Sequence, residues 1–196
     1  MQEKYPHLQF AKQWRLESGV MYALGECDAT VEAIGQAPLL PRFRKRLHWL
    51  SLTKGAQATT AIEGNTLTDE EVARVAQGEV LPASQEYQQR EVKNVIDAFN
   101  ELLGEVVDQS QVQLISPDLL RRFHFMIGKE LGEHFAAIPG EFAQSQRVVG
   151  PYRAPAPADV PALVQSLCGW LRDEFRYPEQ RFGDAIIQAI VTHVYI

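Results

Sequence analysis

Apolar residues return every three or four positions along most of the chain, the interval that lines one face of an α-helix. Val20, Leu24, Cys27, Val31 and Ile34 form one such stripe over positions 17–34. Phe43, Leu47 and Leu50 begin a second that runs toward Glu63, and Pro38 and Pro41 bracket the turn between the two. Thr68 and Glu71 have the spacing of a capping box, which opens a short helix through Val72 and Val75. Gly78 and Pro82 mark a loop. A long helix is predicted over about 84–103, with Tyr87, Val92, Val95, Ile96, Phe99 and Leu102 turned inward. Ser116 followed by Pro117 reads as an N-cap and first helical position, starting a helix over 119–131. Helical spacing is lost between Pro139 and Pro157, where Gly140, Gly150 and several prolines surround the run Arg147, Val148, Val149. That stretch reads as a loop or small hairpin. Helical spacing resumes over 160–175 and again from Asp184 to Ile196. The predicted fold class is all-α with one β-like excursion near residue 147.

Composition adds bounds. With 196 residues, 45% of them hydrophobic, the chain can bury roughly 70% of its unfolded surface and needs no disulfide or metal staple. One domain with a small subdomain is the expectation from length. The longest apolar stretch, 185–191, is short and interrupted by Gln188, so no membrane span is expected. The net charge of −6 repels nucleic acid as a whole, and any binding would need a local basic patch. Cys27 and Cys168 fit no metal-ligand spacing and are expected as free buried thiols in a reducing compartment. The amino terminus has no apolar core of a secretory signal, which makes the expected location cytoplasmic. The last helical pattern is still apolar at Val194, Tyr195 and Ile196 without a stop signal, so the expectation is a chain cut short inside a helix, the alternative being a last turn docked into the core.

Standard catalytic patterns are absent from the sequence. None of the five histidines has HExxH spacing, and there is no GxSxG elbow, Walker loop or GxGxxG. His124 and His193 lie among apolar neighbours and are expected as hydrogen-bonded core histidines. The basic run Arg42, Arg44, Lys45, Arg46 is expected to form a solvated helix face.

The segment from Thr59 to Thr68 carries more. Thr59 and Glu63 are four residues apart and share one helix face. Gly64 stands where a helix would end in the left-handed conformation. Glu63 then lies beside unsatisfied carbonyls, where a negative charge costs about 0.3–1 kcal/mol. A broken local rule of this kind calls for compensation, most simply an arginine from elsewhere in the fold. The competing reading is a solvent-exposed Glu at a frayed end.

This segment, with its run Ile62-Glu63-Gly64-Asn65-Thr66-Leu67-Thr68, resembles the inhibitory motif [S/T]-x-x-x-E-[G/N] of the Fic family. Other pieces agree in order. Arg90, Glu91, Val92, Lys93, Asn94 and Val95 with Ala98 resemble the helix that follows the inhibitory region. Leu120 with His124 is similar to the Leu-x-x-x-His element that starts the core. Ile138-Pro139-Gly140-Glu141-Phe142, followed by Gln146-Arg147-Val148-Val149-Gly150, is similar to the family's PG-x-[YF]-R segment and flap. Pro155, Pro157, Val160, Pro161, Trp170 and Leu171 match the next helix, and the stretch from Ala189 to His193 resembles the helix that leads into the active site. Two departures stand out. Ala143 replaces the usual Arg of the PG segment, and the catalytic signature HPFxxGNGR does not occur; by the resemblance it would begin just after Ile196.

The resemblance implies an all-α, Fic-type helical bundle with an amino-terminal helical extension and a β-hairpin flap. Residues 1–115 would be the amino-terminal region with an inhibitory helix ending near 63. Residues 116–196 would be a partial core with the flap near 142–152. The implied reaction transfers AMP from ATP to a protein hydroxyl. Thr59, Glu63 and Gly64 would be inhibitory, Glu63 pairing with an arginine of the absent loop and denying the ATP γ-phosphate its place. Gln146, Arg147, Val148 and Val149 would line up a target segment. ATP and Mg²⁺ would serve the parent enzyme. No catalytic or metal residue falls in this chain, which is expected to bind neither tightly and to be inactive alone. The implied partners are a target protein and a second copy, with no membrane and no nucleic acid. A rival reading is a non-catalytic, antitoxin-like module lending its inhibitory helix to another chain; the flap and helices over 116–196 would then be superfluous. A DNA-binding helical regulator would rest on Arg42–Arg46 alone.

Overall fold

A computed structural model describes residues 4–108, 114–175 and 181–196, with the side chains of Asp108 and Val149 left out. The described elements are α1 (Ser18–Gln36), α2 (Pro41–Ile62), α3 (Asp69–Ala76), α4 (Glu86–Leu103) and α5 (Pro117–Gly128), then strands β1 (Val148–Val149) and β2 (Tyr152–Arg153), and finally α6 (Val160–Glu174) and α7 (Phe182–Tyr195). A 3₁₀ turn, Ala83–Gln85, leads into α4, and a π-helical turn, Gly104–Asp108, follows it. The chain forms two compact units. The first comprises Met1–Pro38, Ile115–Pro117 and Gln144–Ile196; the second comprises Leu39–Leu114 and Asp118–Ala143.

The core of the second unit is built where α2, α3 and α4 meet. Ala56 of α2, Val72 and Val75 of α3, and Val92, Val95 and Ile96 of α4 close around Leu67 and Leu81. Burial of each larger aliphatic side chain contributes about 1.5–3 kcal/mol. The predicted capping box is present: Glu71 N donates to Thr68 Oγ1 (3.3 Å), and Thr68 N donates to Glu71 Oε2 (2.9 Å). Asn94, buried on α4, donates to the carbonyls of Ile127 (2.9 Å) and Lys129 (2.8 Å), so its amide serves the end of α5. The helix predicted over 119–131 stops at Gly128, where the Phe135 ring takes the room of a Cβ and Glu130 turns left-handed (φ 59°). Phe99 is exposed on α4, contrary to the inward position its spacing suggests. One stripe was wider than its covering.

The core of the first unit is aromatic. Leu167, Leu171 and Phe175 pack with Phe10, Trp14, Trp170, Ile187, Val191 and Tyr195. Trp14 stacks on Phe175 at 6.1 Å between centroids, and the Tyr195 hydroxyl donates to the Gln9 carbonyl (2.8 Å). Tyr5 and Lys4 both reach Asp159, the residue before α6 (2.5 and 2.6 Å). The apolar stripe of α1 does not form a core. Val20 is 46% exposed and Ile34 60%, while Leu24 sits near Gly183 of α7, whose N–H donates to Asp28 (2.9 Å). Cys27 is exposed for the same reason, since it lies on this stripe; Cys168 is buried, which pushes its thiol pKa up. His193 is exposed on α7 and is not a core histidine.

Candidate functional site

The end of α2 has a fixed geometry. Glu63 is the C-cap, and Gly64 takes φ 94°. The Gly64 N–H donates to Ala61 O and the Asn65 N–H to Thr60 O, both at 3.1 Å. This pair of bonds is a Schellman motif, in which glycine supplies the left-handed turn and orphan helix carbonyls are satisfied. The end is thus closed and not frayed. Thr60 faces the core and donates to Ala56 O (3.0 Å), whereas Thr59, Ile62 and Glu63 are exposed. Thr59 and Glu63 therefore share the outer face, with Gly64 as the turn that follows.

Among the described residues, no donor or cation bonds the Glu63 carboxylate. Its charge is felt at Tyr87, whose pKa is raised first by burial, then by the Glu91 carboxylate and its hydrogen bond, and then by Glu63. Glu63 stands at the carbonyl end of α2, and the compensating cation anticipated from sequence is not among the described groups bonded to it.

Below Glu63 lies a polar network that sequence reasoning did not assign. Asn65 is 8% exposed and uses its whole side chain: Nδ2 donates to Gln88 O (3.0 Å) and Glu91 Oε2 (2.8 Å), and Oδ1 accepts from Leu67 N (3.0 Å). Glu91, equally buried, also accepts from the Tyr87 hydroxyl (3.3 Å). Tyr87 stacks on His134 at 4.2 Å, and Arg90 pairs with Glu130 (2.8 Å). An Asn just past the glycine that closes a helix was the available signal; its partner lies 26 residues on and left none.

The segment from Pro139 is held to α5. The Gly140 N–H donates to His124 Nδ1 (2.9 Å), and Arg121 Nε donates to Gly140 O (2.8 Å). Arg121 also reaches Glu141 (3.2 Å) and lies over the Phe142 ring (5.7 Å). Gly140 has φ 80°, and a Cβ there would come to 3.1 Å from Phe125 Cβ. His124 is thus a hydrogen-bonded, half-buried histidine, and burial lowers its pKa. Arg121 of the preceding helix supplies a guanidinium to this turn, and Ala143 contributes no charge to it.

The stretch expected from sequence to be a flap contains a two-stranded antiparallel hairpin, with Val148 opposite Arg153 and Val149 opposite Tyr152. Gly150 (φ 57°) and Pro151 make its two-residue loop, the glycine in the first position. Gln146 Nε2 donates to Ala154 O (2.9 Å), and Ala154 N to Arg147 O (3.0 Å). Gln146, Arg147 and Val148 are exposed, and the side chain of Val149 lies outside the described set. Arg42, Arg44, Lys45 and Arg46 are exposed on α2. Among the described residues, no three of His, Cys, Asp or Glu cluster as metal ligands, and no helix is long and apolar enough to cross a membrane.

No family model and no curated protein matches the chain. A crystal structure of a Fic family protein from Desulfovibrio desulfuricans G20 is similar, with a TM-score of 0.62 and 22% identity. The match covers 87% of this chain and 49% of that one, so the chain spans about half the length of its structural relative. The likeness gives the fold: an all-α, Fic-type architecture.

Proposed function

From this fold we propose that the chain is the inhibitory and flap-bearing part of a protein adenylyltransferase, an enzyme that moves AMP from ATP to a protein hydroxyl and releases pyrophosphate. Glu63 is the supporting observation. Its backbone is closed into a Schellman end, its carboxylate is exposed, and no described cation is bonded to it. A charge held at the unfavourable end of a helix is set to receive a cation from another part of the protein. In this reading the cation is the arginine of the family's catalytic loop, and the pair occupies the space of the ATP γ-phosphate. Thr59 shares the face of Glu63, and Gly64 fixes the turn.

Gln146, Arg147, Val148 and Val149 give a target segment an extended edge to lie against by backbone pairing. The bound ATP, with Mg²⁺, supplies the transferable AMP. The general base, the metal ligand and the phosphate cradle belong to a motif these 196 residues do not contain. The chain alone is therefore expected to transfer nothing and to hold neither ATP nor Mg²⁺ tightly. The antitoxin-like reading fares less well, because the hairpin and the aromatic core of α6 and α7 have no part in it. The target protein, pairing with a second copy and a cytoplasmic location belong to the same proposal.

The test uses the protein carried through its catalytic loop, with labelled ATP and Mg²⁺. Wild-type protein should be nearly inactive. Glu63→Gly should raise labelling tenfold or more, since lifting about 1.4 kcal/mol of inhibition already gives a factor of ten. Glu70→Gln, equally a lost acid but in the first turn of α3, should stay near wild type. Equal activity of Glu63→Gly and wild type would reduce the segment to a helix stop.

A further inference from the structure

Glu63 makes no described side-chain bond of its own, so the position of its carboxylate depends on whatever fixes the backbone around it. The Schellman bonds set the turn, but they tie α2 only to its own next residues. Two residues tie the turn to α4: exposed Thr66, whose hydroxyl exchanges hydrogen bonds with the Gln88 side chain (3.0 and 3.3 Å), and buried Asn65. The three side-chain bonds of Asn65 reach the α4 backbone at Gln88, the buried Glu91 of α4, and Leu67 N. Those bonds use both amide hydrogens and the carbonyl oxygen of the side chain.

We infer that Asn65 and Glu91 form a latch that positions Glu63, making Asn65 a positioning residue for inhibition. This rests on the inhibitory reading of Glu63 for its consequence, but the latch itself can be measured without it. The chemistry favours an amide at 65. Glu91 is a buried carboxylate whose described partners are two neutral donors, Asn65 and the Tyr87 hydroxyl. An aspartate at 65 has almost the same shape and still accepts from Leu67 N. It would, however, set a second carboxylate against Glu91 and a lone pair against Gln88 O, which like charges within hydrogen-bond distance do not tolerate. A glutamine at 91 restores complementarity, because its amide can donate to the new aspartate.

The experiment is native-state hydrogen exchange on the 196-residue chain. Asn65→Asp should speed exchange at the Gly64 and Asn65 amides by about tenfold or more, the size expected when a charge-assisted hydrogen bond is lost. Amides in the middle of α2 and α4 should keep their protection. Asn65→Asp combined with Glu91→Gln should recover much of the protection at Gly64, while Tyr87→Phe, which leaves every Asn65 bond in place, should change it little. If Asn65→Asp does not fold, Glu91→Ala removes one acceptor without adding charge and should still speed the same two amides. Unchanged exchange at Gly64 in a folded variant, or no recovery in the double variant, would overturn the latch.

In the protein carried through its catalytic loop, Asn65→Asp should raise labelling toward the Glu63→Gly level, and Glu91→Gln added to it should lower labelling again. Flat labelling in Glu63→Gly would remove the inhibitory reading and leave the exchange result to decide the latch. High labelling in Glu63→Gly with flat labelling in Asn65→Asp, despite faster exchange, would show that the latch does not position Glu63.

Discussion

Two glycines of the second unit are required for different physical reasons, and alanine separates them. At Gly64 a Cβ would meet nothing within 4 Å, so only φ 94° resists it, and Gly64→Ala should cost about 1–2 kcal/mol. At Gly128 the backbone is helical, but a Cβ would lie 2.3 Å from the Phe135 ring. That ring must move, and overpacking of this kind costs about 1–3 kcal/mol. Urea denaturation should show that Phe135→Leu recovers part of the loss in Gly128→Ala and none in Gly64→Ala. His124 gives a pH signature. Burial lowers its pKa in the folded state, so the stability linked to its neutral form is present above its unfolded value, about 6.5, and fades as pH falls through the folded value. Wild type should lose stability relative to His124→Gln below about pH 6.5. A constant difference between pH 8 and 5 would show that the ring does not need to stay neutral. Gly64 was legible from its place after Glu63; Gly128 was not, because the ring that excludes a side chain there comes from seven residues on.

At the scale of elements, the capping box and the hairpin invite separate tests. Thr68→Ala removes the oxygen that receives the Glu71 N–H and should cost about 1 kcal/mol, read as a lower urea midpoint at unchanged slope. The hairpin is two residues deep, exposed, and flanked by Gly and Pro. Limited proteolysis should cut between residues 142 and 152 before any helix. Early cutting inside α4 with this stretch protected would contradict its exposure. The helices themselves were readable because a repeat of three to four residues is a local property of the chain. Whether a stripe is covered is not local. Val92, Val95 and Ile96 are buried under α2 and α3, whereas Val20, Val31 and Ile34 show the same spacing and stay exposed. Cys27, His193 and Phe99 were misjudged for that reason: each sits on an apolar face whose covering the sequence does not specify.

Across the whole molecule, each unit has a core of its own kind, aliphatic in one and aromatic in the other. Leu171, fully buried in the aromatic one, should cost about 2–5 kcal/mol as Leu171→Ala, and near-ultraviolet circular dichroism from Trp14 and Trp170 should report it. The same substitution leaving the aromatic signal and the urea midpoint unchanged would mean that this cluster carries little of the stability. Of the candidate site, the helix end at Glu63 and Gly64 was legible because its signal is written in consecutive residues. The Asn65–Glu91 pair was not, since it joins positions 26 apart and neither residue type demands the other. The all-α class followed from periodicity, and the Fic-type arrangement from the order of short motifs.

The hairpin's shallowness sets a limit on what it can hold. An extended segment laid along either strand meets two residues of backbone, and hydrogen bonds contributing about 0.5–1.5 kcal/mol each leave such a complex millimolar or weaker. A partner bound by that edge alone would have a short residence time, arriving and leaving many times before any chemistry. Under the proposed transfer, which hydroxyl reacts would then follow from how often a segment returns, through abundance or a second contact elsewhere, more than from how tightly the edge grips it.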